Sequence, residues 1–213
     1  MTGFLEDSVS LGLTFVAAMI LIYLATFMGF TNLLLIPLGL LALGLALQIY
    51  ISKKIQHDES TSHEEMKSTM MYTVLALVGI GVGSFVSVGL FKPPIGAVQM
   101  SVTDQMLYGA LYAISEERFF RGALTSFVFW RTNNTAMSSL ASGVIFGWPY
   151  HQAVYGTSPE KLMYVVIAGT VLSFVTLRSK RLSPAMLGHL GNNFWASLPT
   201  VAASIVVKLG GFF

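Results

Sequence analysis

The sequence predicts an all-α protein, a polytopic bundle of about seven transmembrane helices enclosing a polar cavity. Three observations carry that expectation. Apolar residues make up 54% of the 213 positions. Charged residues make up 10%, against about 25% in an ordinary globular chain. No charged residue occurs in 8–52, 68–91, 132–159 or 182–207, and a membrane helix needs only about 20 mostly apolar residues. A soluble α/β enzyme and a disordered chain are thereby excluded. A net charge of +2 with no basic stripe excludes a nucleic-acid-binding surface. The chain has no cysteine, so disulfides, thiolate metal sites and a cysteine nucleophile are excluded too.

The segments follow in order. The first spans about 9–30 and the second about 32–51, joined by a tight turn at Thr31-Asn32. No Lys or Arg precedes Lys53, so the first segment lacks the basic flank of a signal peptide and is expected to stay as a span. Pro37 lies near the start of the second, where a helix tolerates it. Residues 52–68 hold seven charges and form a solvated loop that also contains His57 and His63. The third segment, about 69–91, carries Gly79 and Gly83, a small-xxx-small pair suited to close helix packing. Lys92-Pro93-Pro94 ends it.

Four more segments cover about 103–128, 136–155, 161–178 and 184–208. The fourth is less apolar than the rest, and Pro149 interrupts the fifth just before His151. The first three alone are expected to pass a strict hydropathy test. Seven spans put Lys53, Lys54, Lys67, Arg131, Arg178, Lys180 and Arg181 on one side, and Lys92, Lys161 and Lys208 on the other. The basic excess marks the cytoplasmic face, so the N-terminus is cytoplasmic and the C-terminus outside. Asn133-Asn134-Thr135 forms a glycosylation sequon that this topology leaves on the cytoplasmic side, in a turn. With no long polar linker, residues 1–213 form a single integral-membrane domain.

Four charges break the pattern. Glu116-Glu117-Arg118-Phe119-Phe120-Arg121 sits inside the fourth segment. Each charge at a helix centre costs roughly 2.5–3.5 kcal/mol, so the cluster persists only if its members pair, face water or lie near an interface. Glu117 and Arg121 are i and i+4 with the acid first, the favourable order for an ion pair. Glu116 is turned about 100° from Glu117 on an α-helix, so the two are not expected to point at one spot. Glu116 then faces a water-filled cavity, and Arg118 reaches a neighbouring helix or the interface. An interfacial charge belt is the bland alternative.

The histidines weigh against the bland alternative. His151 and His189 both lie in uncharged stretches, where a polar side chain needs a partner. Asn193 follows His189 by four and shares its helix face. Together with the glutamates these residues suit hydrolysis of a peptide bond within a membrane. Glu116 with His151 holds and activates the water, while His189 and Asn193 donate to the oxyanion. Serine chemistry is disfavoured, because Ser115 has no evident base partner and no Gly-x-Ser-x-Gly elbow occurs. Two histidines and one or two glutamates can also bind Zn²⁺, but no His-Glu-x-x-His spacing occurs. By depth from the segment ends, Glu116 and His151 fall about 18 and 22 Å into the membrane, and His189 and Asn193 only about 8 and 14 Å.

Glu116-Glu117-x-x-x-Arg121, then His151, then His189-x-x-x-Asn193 resemble the CAAX prenyl protease and bacteriocin-processing (CPBP, or Abi) family of intramembrane proteases. The resemblance covers roughly 103–208, the catalytic-type core. It departs at the middle motif: the family has Phe-x-x-x-His, whereas Phe146 precedes His151 by five and Gly147 holds the expected position.

The resemblance implies an intramembrane glutamic-type endopeptidase, with a metalloprotease mechanism as the competing assignment. Glu116, His151, His189 and Asn193 would be catalytic, and Glu117 with Arg121 a supporting ion pair. No cofactor and no metal ligand is called for. The substrate would be a membrane-associated or lipidated peptide or protein, met within the lipid bilayer. A non-proteolytic immunity or regulatory scaffold is the alternative for the same family. A proton-coupled carrier is a third, disfavoured by the absence of internal repeats.

Overall fold

The computed structural model describes residues 8–27, 32–52, 62–91, 102–157 and 159–194, and every element in them is helical. The elements are α1 (Ser8–Phe27), α2 (Asn32–Ser52), α3 (Ser62–Phe91), α4 (Val102–Glu117), α5 (Ser126–Thr132), α6 (Thr135–Ile145), α7 (Gln152–Tyr155) and α8 (Pro159–Ser179). A ninth helix, α9, covers 183–194. Two π-helical segments, Arg118–Thr125 and Phe146–His151, link α4 to α5 and α6 to α7 without a break. The described chain therefore forms seven rods, in the order the hydrophobic segments predict. The Thr31 turn, the Lys92-Pro93-Pro94 stop, loop residues 53–61 and the end of the seventh segment lie outside the described residues. One boundary differs: the solvated loop predicted to run to 68 gives way to helix at Ser62.

Local sequence explains the corners. Asn133 takes a left-handed conformation (φ 51°) that closes α5, and Asn134 accepts the Met137 N–H through its side chain to cap α6. The sequon residues are thus a C-cap followed by an N-cap. Pro149 explains the second π segment, since it has no N–H for the α-helical bond to Ile145 and the turn widens to accommodate it. In the first π segment, the Thr125 and Ser126 hydroxyls reach back five residues to the Phe120 and Arg121 carbonyls, at 2.8 and 3.4 Å.

Two cores meet on α9. Leu182 and Met186 pack with α1, α2 and α4 around Leu21, Leu41 and Leu111. Ala185 packs with α3 and α8 around Ala76, Ile80 and Leu172. Gly79 and Gly83 bring α3 against α8, where an added Cβ would come within 2.6 Å of Val171 or Ile167. Gly143 does the same for α6, where a Cβ would stand 2.7 Å from the Thr170 backbone nitrogen.

Arg118 is wholly buried and ties the first hairpin to this core. Its Nη1 donates to Gln48 Oε1 on α2 at 2.7 Å, and its Nη2 to the Ser10 carbonyl on α1 at 3.1 Å, with Thr14 Oγ1 also in contact. Among the described residues, Lys161–Ser179 is the helix long and apolar enough to cross a membrane, with mean hydropathy 1.7. The described side chains of the first three segments include the apolar stretches Val9–Leu21, Leu34–Tyr50 and Lys67–Gly83, and Lys161–Ser179 passes although it was not among the segments expected to.

Candidate active site

The fourth rod carries its charges inward. Glu116 is 2% exposed, and Glu117, Arg118 and Arg121 are 0% exposed. Arg121 Nη1 lies 3.0 Å from Glu117 Oε1, the i, i+4 pair the spacing predicts. The contact is an ion pair rather than an aligned hydrogen bond, because the guanidinium nitrogens have no hydrogen-bond partner. Its plane rests instead over the Phe146 ring, 4.2 Å from the centroid. Gly169 leaves room for this, since a Cβ there would stand 3.3 Å from Arg121 Nη2.

The glutamates are not directed to separate places. His189 Nδ1 lies 2.8 Å from Glu117 Oε1, and His189 Nε2 lies 3.8 Å from Glu116 Oε2. The imidazole ring spans the angle that separates two consecutive residues, so each carboxylate meets a different ring nitrogen. His189 reaches both glutamates from a helix whose entry is itself buried. The turn before α9 is sunk into the bundle, with Ser179 and Arg181 at 7% and 8% exposed and Leu182 and Ser183 at 0%.

His151 Nδ1 is 3.0 Å from the Phe146 carbonyl. A carbonyl only accepts, so Nδ1 carries the proton in that bond, and in the neutral ring the lone pair resides on Nε2. The π segment reconciles the long Phe146–His151 spacing, because its wider turn takes up the extra residue. The Phe146 and His151 rings meet edge-to-face at 4.3 Å, and His189 stands edge-on to the same Phe146 ring at 6.2 Å. The structure therefore gathers Glu116, Glu117, Arg121, His151 and His189 around Phe146.

Asn193 lies one turn further along α9. Its Nδ2 donates to the Gly109 carbonyl at 3.0 Å, eight residues before Glu117 on α4. It lines a cavity of about 220 Å³ with Met106, Ala110, Leu190 and Phe194. His189 and Asn193 thus share a face, as their spacing predicts, and that face runs along α4. Asn192 accepts from the Tyr164 hydroxyl at 3.0 Å, fixing α9 to α8.

Tyr150, which the sequence reading did not select, donates its hydroxyl to Glu116 Oε1 at 2.8 Å. The signal for it was slight: a phenol next to a histidine in an uncharged stretch. Ser115 Oγ is buried with no hydrogen-bond partner, in keeping with its lack of a base. Among the described residues no group of three or more His, Asp or Glu is arranged to hold a metal ion.

Residues 99–195 match the family model described as type II CAAX prenyl endopeptidase Rce1-like. The matched stretch contains every motif residue from Glu116 to Asn193 and bears out the resemblance those motifs carry. No curated protein and no solved structure matches the chain.

Proposed function

With residues 99–195 matching the type II CAAX prenyl endopeptidase Rce1-like family, we propose that the protein is an intramembrane endopeptidase. It hydrolyses peptide bonds of membrane-associated or lipidated substrates with a glutamate-activated water. The observation that carries this is the convergence of two buried carboxylates on His189 within a protein whose outer surface is apolar. Large apolar side chains such as Phe15, Met70, Val82 and Phe85 are exposed by 58–81%, while Glu116, Glu117, Arg118 and Arg121 lie inside. That pattern supports a multi-pass bundle, and the excess of Lys and Arg on one side of the seven segments supports a cytoplasmic N-terminus.

The chemistry runs as follows. Glu116 accepts a proton from water as the water oxygen attacks the scissile carbonyl carbon, with His151 Nε2 accepting a second hydrogen bond from the water. The C–O bond forms and the carbonyl electrons move to oxygen. His189, when protonated, donates Nδ1–H to Glu117 and Nε2–H to that oxyanion, with Asn193 as a further donor at the α4 face. Glu116 then returns its proton to the departing amine as the C–N bond breaks. Glu117 and Arg121 hold His189 and Phe146 in place throughout.

Purified protein in liposomes with a membrane-anchored peptide tests this. Glu116→Gln and His151→Ala are each expected to abolish cleavage at an unchanged melting temperature. Full activity in either variant would remove that residue from the proposed chemistry. Biological activity that survives Glu116→Ala would favour the non-proteolytic scaffold instead.

A further inference from the structure

Tyr150 has no part in the steps above, yet its hydroxyl is hydrogen-bonded to the carboxylate that drives them. Its ring is pinned by aromatic neighbours: Phe120 at 4.9 Å, and Phe146 stacked at 5.9 Å with 19° between planes. Phe120 and Phe146 are themselves 2% and 3% exposed, so the cage is buried and tight. The hydroxyl at its tip donates to Glu116 Oε1 at 2.8 Å. A carboxylate turns easily about its last torsion, and a hydrogen bond to Oε1 opposes that turn while Oε2 lies 3.8 Å from His189 Nε2.

We propose that Tyr150 is a positioning residue, holding Oε1 of Glu116 so that Oε2 faces His189 and takes the proton from water. This rests on Glu116 being the base. The π segment makes the arrangement possible. Its wider turn narrows the angle between successive side chains, so Tyr150 and His151 both face the site. Removing a hydrogen bond to a charged group and leaving the ring in place isolates the effect.

Tyr150→Phe is expected to lower kcat about ten-fold or more, with KM within about two-fold and the melting temperature unchanged. Wild-type kcat in Tyr150→Phe would overturn the proposal. So would a loss accompanied by a lower melting temperature or a raised KM, which assigns Tyr150 to packing. If Glu116→Gln is inactive and Tyr150→Phe fully active, only the Tyr150 role fails. If Glu116→Gln itself is active, the choice of base fails.

Discussion

Arg121 is fully buried, with Glu117 at 3.0 Å on one side and the Phe146 ring at 4.2 Å on the other. Breaking a buried pair by removing one partner costs about 3–5 kcal/mol, because the remaining charge is left uncompensated. Arg121→Leu is therefore expected to lower the melting temperature sharply in detergent. Arg121→Lys keeps the charge but loses the guanidinium over Phe146, so it should fall between Arg121→Leu and wild type. At this scale the sequence was informative wherever residues lay on one helix. Glu117–Arg121 and the shared face of His189 and Asn193 follow from a spacing of four. Partners on different helices were not readable in the same way. Arg118 needed Ser10 and Gln48, and Glu116 needed Tyr150, 34 residues away.

The elements that matter most are the two π segments, and neither was visible as such in the sequence. Hydrophobic patterning locates a rod but not a local change in its winding. The long Phe146–His151 spacing, a departure from the family motif, is the trace such a change leaves. Pro149 helps to keep the second segment open, so Pro149→Ala restores an N–H and lets the turn tighten towards α-helix. Melting temperature should then stay level or rise, while misplacing Tyr150 and His151 lowers kcat about ten-fold or more. Stability and activity would move in opposite directions, which thermal melting and a cleavage assay on one preparation would detect. Gly143→Ala is a contrasting case. Its Cβ would stand 2.1 Å from Thr170 Oγ1 and 2.7 Å from backbone nitrogen on α8, which cannot give way. That substitution should destabilise by about 1–3 kcal/mol or more through overpacking.

At the scale of the whole molecule, the described residues expose many large apolar side chains and bury Glu116, Glu117, Arg118 and Arg121. Charge scarcity and charge-free windows were enough to order all seven rods, since a membrane solvent constrains composition more strongly than it constrains any one contact. The burial of the turn before α9 was not legible in the same way, because it depends on how the rods pack. On a membrane-facing surface, Val82→Asp, at a position 58% exposed, should impair insertion by about 2.5–3.5 kcal/mol. In a water-facing surface it would be nearly neutral, and an insertion assay with glycosylation reporters separates the two. The central claim is that Glu116 drives hydrolysis from inside the bundle. It is tested most directly by reconstituting wild type and Glu116→Gln at matched melting temperature with a prenylated CAAX peptide in the same bilayer, and following products by mass. Cleavage by wild type with none by Glu116→Gln is the expected result. Equal cleavage by both would contradict it.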